Sequence, residues 1–176
     1  MYSLSIIFTK FGKFGPFLLY AVASYLLWHK KTSFYYYQVG FFTCEILNLV
    51  LKGTFKQPRP SEDPAEFYLA VKNGHRFIFK NGVPHDIFGM PSGHSQSALF
   101  TTAFVFLCLK DIKIGLCFLL VSLLVMCQRV VDNYHTVFQV IAGACVGIIY
   151  AYLFYYFSQQ SLKGLIRMKQ DDNGPL

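Results

Sequence analysis

The order of apolar and polar positions marks out helices before any other property is considered. Four stretches carry no Asp, Glu, Lys or Arg: 14–28, 92–109, 114–128 and 136–162. A fifth, 32–51, is apolar and aromatic except for Gln38, Glu45 and Asn48. Crossing a bilayer core takes about 20 helical residues, so the runs 14–28 and 114–128 are short on their own. Lys30, Lys31, Lys110, Lys113 and Arg129 flank these runs and extend them by reaching toward the interface. The pattern predicts five membrane spans. Residues 1–13 give a weaker signal, because Lys10 and Lys13 lie beside Gly12 and Gly15. That segment reads either as a short, tilted sixth helix or as one lying in the interface.

The insert 53–90 breaks the apolar pattern. It holds four of the seven prolines and charges of both signs, which predicts a solvated loop at one membrane face. Connections of this length are usually functional. Within it, Phe67-Tyr68-Leu69-Ala70-Val71 and Phe77-Ile78-Phe79 are candidates for an interfacial helix or a short hairpin. The chain therefore reads as an all-α membrane bundle of five to six helices. Residues 1–162 form one transmembrane domain with 53–90 as its extramembrane loop, and 163–176 form a polar, loose cytoplasmic tail. Gly143 and Gly147 spell a small-xxx-small pattern in the last span, read as close packing inside the bundle.

Composition sharpens this picture. Hydrophobic residues make up 54% of the 176 and charged residues 14%, against about 25% charged in a soluble domain, which excludes an ordinary water-soluble protein. Lys and Arg outnumber Asp and Glu 16 to 9. They sit between apolar runs, as membrane-flanking charge does, so nucleic acid is not the expected partner. The five cysteines lie in apolar runs with no C-x-x-C pair and read as small hydrophobes rather than a disulfide frame or a metal cage. The N-terminus has neither a basic n-region nor a small-residue cleavage site, so no removable signal peptide is expected.

Ionisable residues at span ends are costly near lipid and tend to be functional. Here they are Lys52, then Arg59-Pro60, then Pro91-Ser92-Gly93-His94, then Arg129 and His135. With alternating spans, all of them land on one side of the membrane. Arg offers a bidentate fork to phosphate oxygens and Lys a point charge. Ser92 and Gly93, at a helix start, add unpaired backbone N–H groups. One imidazole can attack phosphorus while the other protonates the leaving oxygen.

These three groups, Lys52–x6–Arg59-Pro60, Pro91-Ser92-Gly93-His94 and Arg129–x5–His135–x3–Gln139, resemble in order and spacing the signature of the type-2 phosphatidic acid phosphatase superfamily of membrane lipid phosphatases. The resemblance runs from about Glu45 to Val140. It implies that Lys52, Arg59 and Arg129 bind phosphate, with Ser92 and the Gly93 backbone assisting. It further implies that His94 is the acid toward the leaving group and His135 the nucleophile, and that no metal or other cofactor takes part. Two positions depart from the general pattern. Gln128 replaces a serine, and Gln139 replaces the aspartate that orients the nucleophile. A glutamine oxygen still accepts from the imidazole Nδ1–H but lacks the charge that stabilises an imidazolium. Together with Gly89-Met90 ahead of the second motif and Glu45 and Asn48 ahead of Lys52, this departure looks like the dolichyl-diphosphatase branch. Against that branch stand the short chain and Gly93, where a serine is usual.

Some side chains carry a second reading. Glu45 either pairs with a pocket cation or bonds a neighbouring helix. Asp132 reads as a solvated turn acid rather than a substitute for the missing aspartate, and His75 and His85 read as surface residues. The function expected is hydrolysis of a lipid-linked diphosphate, with dolichyl or another polyprenyl diphosphate as first choice, through a phosphohistidine. The alternatives are another lipid phosphate (phosphatidic acid, phosphatidylglycerophosphate or undecaprenyl diphosphate) and a non-catalytic lipid-phosphate binder. The short basic loops around Lys30 and Lys110 predict a pocket facing away from the cytoplasm. That means the lumen of the endoplasmic reticulum in a eukaryote or the periplasm in a bacterium.

Overall fold

In the computed structural model, residues 2–80 and 82–171 are described. The order of elements is α1 (Tyr2–Leu27), α2 (Lys31–Phe55), α3 (Pro64–Lys72), β1 (Phe77–Lys80), β2 (Val83–Asp86), α4 (Gly93–Leu109), α5 (Ile112–Val131) and α6 (Val137–Asp171). The five apolar runs each become one long helix, and local chemistry sets the ends. Asp111 caps α5 by accepting from the N–H groups of Lys113 and Ile114, which starts that helix before the last flanking charge. Lys56 and Lys110 close α2 and α4 in the left-handed conformation, each returning its N–H to a carbonyl four residues back.

Helix α4 is the centre of the bundle and packs against α1, α2, α5 and α6. A helix surrounded on all sides needs no apolar stripe, and the run from Ser95 to Thr102 is buried without a break. Around it the core is aromatic, with Tyr37, Phe100 and Phe104 fully buried. The outward faces of α5 and α6 expose Leu116, Leu120, Leu124, Ile141 and Ile149, as surfaces that meet lipid do. Two helices, Ile112–Val131 and the stretch Val137–Ile166 of α6, are long and apolar enough to cross a membrane.

Two expectations change. Residues 2–13 are not a separate sixth element, because α1 runs through them without a break; Gly12 and Gly15 lie against Gln128 and Val125 and serve close packing on α5 rather than a helix end. The tail expected from residue 163 onward is not loose, because α6 continues to Asp171. Gly164 alone does not stop the helix. Residues 172–176 lie outside the described residues.

The insert forms both structures suggested for it. Asp63 caps α3 through the N–H groups of Ala65 and Glu66, with Pro64 at the first helical position. Strands β1 and β2 pair antiparallel with Phe77 opposite Asp86 and Lys80 opposite Val83. Gly82, at φ +77, supplies the left-handed turn residue. Phe67, Ile87 and Phe88 form a small core of their own beneath α3. The segment then returns through Gly89, whose N–H meets the Gln57 carbonyl at 2.7 Å, and a cis Met90–Pro91 bond to the start of α4.

Candidate active site

The end of α2, the start of α4 and the α5–α6 turn meet at one end of the bundle, and the insert folds over them. Lys52 is buried, its side chain 8% exposed, although it sits near a helix end. Its Nζ lies 3.4 Å from Asp86 Oδ2. Arg59 is held by its Nε, which donates to the Asp86 carbonyl at 2.9 Å. Arg129, also buried, lays its guanidinium over the Tyr134 ring at 4.2 Å, and its Nε has no protein partner among the described residues.

His135 is buried in the turn before α6, with its N–H on the Arg129 carbonyl at 3.0 Å. Its Nδ1 stands 3.2 Å from Gln139 Oε1. Gln139 is pinned in turn: its Nε2 donates to the Pro58 carbonyl at 2.9 Å, and its own N–H reaches Thr136 Oγ1 at 3.2 Å. Because the amide nitrogen donates to Pro58, the oxygen faces the ring, and Nδ1 is the nitrogen that carries the proton toward it. That leaves Nε2 with its lone pair free. Burial first, and then the charges of Arg59 and Lys52, push the His135 pKa down to about 3, so the ring is neutral at physiological pH.

His94 is half-buried one residue into α4. Its ring lies near the Lys13 backbone of α1 and within electrostatic reach of Arg129, Arg59 and Lys52. The first bond of the α4 ladder is Gln96 N–H to the Ser92 carbonyl at 3.0 Å. The N–H groups of Gly93, His94 and Ser95 therefore precede the ladder and form the positive end of the helix. Ser92 is fully buried and accepts from Ser95 Oγ at 3.0 Å, while its N–H is tied to the Gln139 carbonyl at 3.0 Å. One residue thus fixes the second motif to the third.

The eight residues singled out from the sequence, Lys52, Arg59, Ser92, Gly93, His94, Arg129, His135 and Gln139, are thus gathered at one end of the bundle. The open alternatives divide. Asp132 turns away, accepting from Gln128 Nε2 at 2.6 Å and Thr9 Oγ1 at 3.2 Å, whereas Gln139 Oε1 lies against the His135 ring. Glu45 accepts from Ser97 Oγ on α4 and bonds the neighbouring helix. His75 and His85 are exposed. Gly143 and Gly147 pack inside the bundle, against the start of α4. Among the described residues there is no group of three or more His, Cys, Asp and Glu that could hold a metal ion.

Sequence reasoning missed two contributors. Asp86 holds three cations together: Arg76 forks onto its carboxylate through Nε at 3.3 Å and Nη2 at 3.1 Å, beside the contacts of Lys52 and Arg59. Burial raises the Asp86 pKa, but the Arg76 hydrogen bonds, the Lys52 charge and the Phe88 N–H outweigh it and hold the carboxyl below its usual range. An acid in a basic loop was the available signal. Gln96 is the other. Its Nε2 donates to the Cys44 carbonyl at 2.8 Å and its Oε1 accepts from Asn48 Nδ2 at 2.8 Å. A charge-neutral amide in an apolar run was the only sign of it.

Comparison with known proteins gives the superfamily and singles out no branch within it. A search of curated sequences finds no match, but the family model of the PAP2 superfamily matches residues 33–163. Among solved structures, the fold is similar to the crystal structure of Aquifex aeolicus LpxE, with 22% identity, a TM-score of 0.61 and coverage of 86% of this chain and 84% of that one. It is similar also to the transmembrane PAP2-type phosphatidylglycerolphosphate phosphatase of Bacillus subtilis, with 20% identity, a TM-score of 0.65 and coverage of 91% and 79%. The match spans all three motifs and the helices that carry them, and the chain belongs to the PAP2 superfamily of membrane lipid phosphatases.

Proposed function

We propose that this enzyme hydrolyses a lipid-linked diphosphate to the monophosphate and inorganic phosphate through a phosphohistidine, with a dolichyl-type polyprenyl diphosphate as the first-choice substrate. The observation that carries the mechanism is the His135–Gln139 pair: an imidazole buried, neutral and hydrogen-bonded at Nδ1 presents only Nε2 as a nucleophile. Nε2 attacks the terminal phosphorus. His94 donates a proton to the departing oxygen and then takes one from the water that cleaves the phosphoenzyme. Lys52, Arg59, Arg129 and the first N–H groups of α4 hold the equatorial oxygens as charge develops. The unpartnered Arg129 Nε is a donor suited to one of them. Glutamine at position 139 is the residue that favours the dolichyl-type substrate.

One observation favours a second substrate: a neighbour in fold is a phosphatidylglycerolphosphate phosphatase, so a glycerolipid phosphate is the runner-up. Phosphate release from polyprenyl diphosphate, polyprenyl monophosphate, phosphatidic acid and phosphatidylglycerophosphate separates the two, with the fastest turnover expected on the first. His94→Ala should be partly rescued by an activated aryl phosphate, which leaves without a proton. Equal loss on both substrate types would remove His94 from the acid role.

The five long helices α1, α2, α4, α5 and α6 are proposed as five spans, with the pocket on the luminal or periplasmic side and the end of α6 in the cytoplasm. Cysteines introduced at Asn73 and Lys169 should label from opposite sides of sealed vesicles. Labelling from one side would overturn the layout.

A further inference from the structure

Outside the three motifs, a further cation, Arg76, stands beside Lys52. Arg76 directly precedes β1 and Asp86 ends β2, and the pairing of Phe77 with Asp86 brings the two together. The guanidinium is held along its Nε–Nη2 edge by Asp86, and it lies 5.5 Å from the ring centres of Phe77 and Phe88. Asp86 is itself immobilised. Its Oδ1 accepts the Phe88 N–H at 3.0 Å, and its carbonyl accepts Arg59 Nε. The same Oδ2 that receives Arg76 Nη2 at 3.1 Å also receives Lys52 Nζ at 3.4 Å. Lys52 and Arg76 therefore converge on a single anionic oxygen, one carboxylate apart.

We propose that Arg76 is a specificity-determining residue which, with Lys52, forms a second anion subsite beside the phosphorus attacked by His135, so that the pocket accepts two adjacent phosphates. This deepens the diphosphate reading above and rests on it for the lipid. Three observations support it. The Lys52 contact is long for a charge-assisted bond, which usually closes to about 2.7–2.9 Å, so the ammonium is free to turn toward a phosphate oxygen without breaking a tight pair. Arg76 cannot collapse into the pocket, because Asp86 holds its Nε and Nη2. Its Nη1 is not used by Asp86 and stands 3.7 Å from the position a Cβ would take on Gly53, next to Lys52, and the side chain keeps 26% of its surface exposed. The two phosphates of a diphosphate share one bridging oxygen, and their outer oxygens match a pair of cations spaced to share a carboxylate.

A purely structural Arg76, pinning the hairpin, would affect all ligands alike, so the decisive quantity is a ratio. Inhibition of aryl phosphate hydrolysis by methylenediphosphonate and by methylphosphonate should be measured for the full-length protein in detergent. Wild type should bind the diphosphonate better. Arg76→Gln should reduce that preference by about tenfold to a hundredfold, the range of one charged hydrogen bond. Arg76→Lys guards against a variant that does not fold. It keeps the charge without the fork, and its ratio should fall several-fold below that of wild type. A ratio equal to wild type in either variant, or a wild type with no preference for the diphosphonate, would overturn the subsite. If wild type prefers the diphosphonate but releases no phosphate from polyprenyl diphosphate, the lipid assignment fails and the subsite stands.

Discussion

The two ends of helix α4 are built on different principles. At the pocket end its first two turns carry Ser92, Ser95, Gln96 and Ser97, all buried and all hydrogen-bonded. There α6 approaches so closely that a Cβ on Gly143 would stand 2.4 Å from the Ser92 carbonyl oxygen, and one on Gly147 would stand 2.2 Å from that of Gln96. Toward the other end, beyond the buried contacts of Thr101 with Tyr37 and Thr102 with Ser122, the partners are aromatic and aliphatic. Phe100 stacks on Tyr37 and on Phe104, while Phe104 meets Tyr37 at a tilt, and an apolar groove of about 330 Å³ opens to the surface between α4, α5 and α6, lined by Leu99, Phe106, Leu116, Leu119 and Ile148 among others. Hydrogen bonds are directional and hydrophobic contacts are not. The end that must hold Ser92, His94 and the free N–H groups to within a fraction of an ångström uses directional contacts and backbone approach. The end away from the pocket, packed mainly by side chains, tolerates more change.

Substitutions at the two ends should therefore differ in kind. The largest effect belongs to His135→Ala at the pocket end, which should abolish phosphoenzyme formation and turnover together; a labelled phosphoenzyme that persists in this variant would move the nucleophile elsewhere. Next comes Gln139→Ala, which frees the ring to rotate and should lower kcat by about 10²- to 10⁴-fold, the usual worth of a positioned acid–base group. Gln139→Glu keeps the acceptor and adds a charge beside an imidazole now held at about 3. It should stay active, and the acid limb of its pH–rate profile should move to higher pH, because a neighbouring anion raises the pKa of a histidine. Should Gln139→Ala be fully active while Asp132→Asn is dead, the orienting group is the turn acid.

Smaller effects test the packing itself. Gly143→Ala places a methyl against the Ser92 backbone, which has no flexible side chain to move aside. Overpacking of this kind costs about 1–3 kcal/mol, and kcat should fall along with the melting temperature, because the strain lands on the α4 start. Ala103→Leu adds bulk to the wall of the far groove. It should leave kcat within about twofold and shift stability by about 1 kcal/mol or less, since the groove is open and has room for the added atoms. Equal sensitivity of activity at Gly143 and Ala103 would erase the distinction between the two ends.

Much of this was readable along the chain. Four runs free of charge, and a fifth interrupted only by Glu45, locate the five long helices, because charge in a buried or lipid-facing helix is costly unless paired. The spacing of Lys52, Arg59, Ser92, His94, Arg129, His135 and Gln139 against the ends of those runs locates the site, since alternating helices return to one face. What the chain could not show is where nearness comes from folding. The α1 helix swallows residues 2–13 because Gly12 and Gly15 are used to approach α5, a reason visible only once α5 is beside it. The choice of Gln139 over Asp132 depends on which way each side chain turns, and Gln128 and Thr9 decide it by holding Asp132. Arg76 and Asp86 lie in a loop whose charges look solvated in sequence; the hairpin register carries them to Lys52. Local patterns determine which segments are helices and which residue types can do chemistry, because propensity and hydrophobicity act over a few residues. The electrostatics of the pocket is a property of distances between segments far apart in the chain, and only the packed bundle sets those.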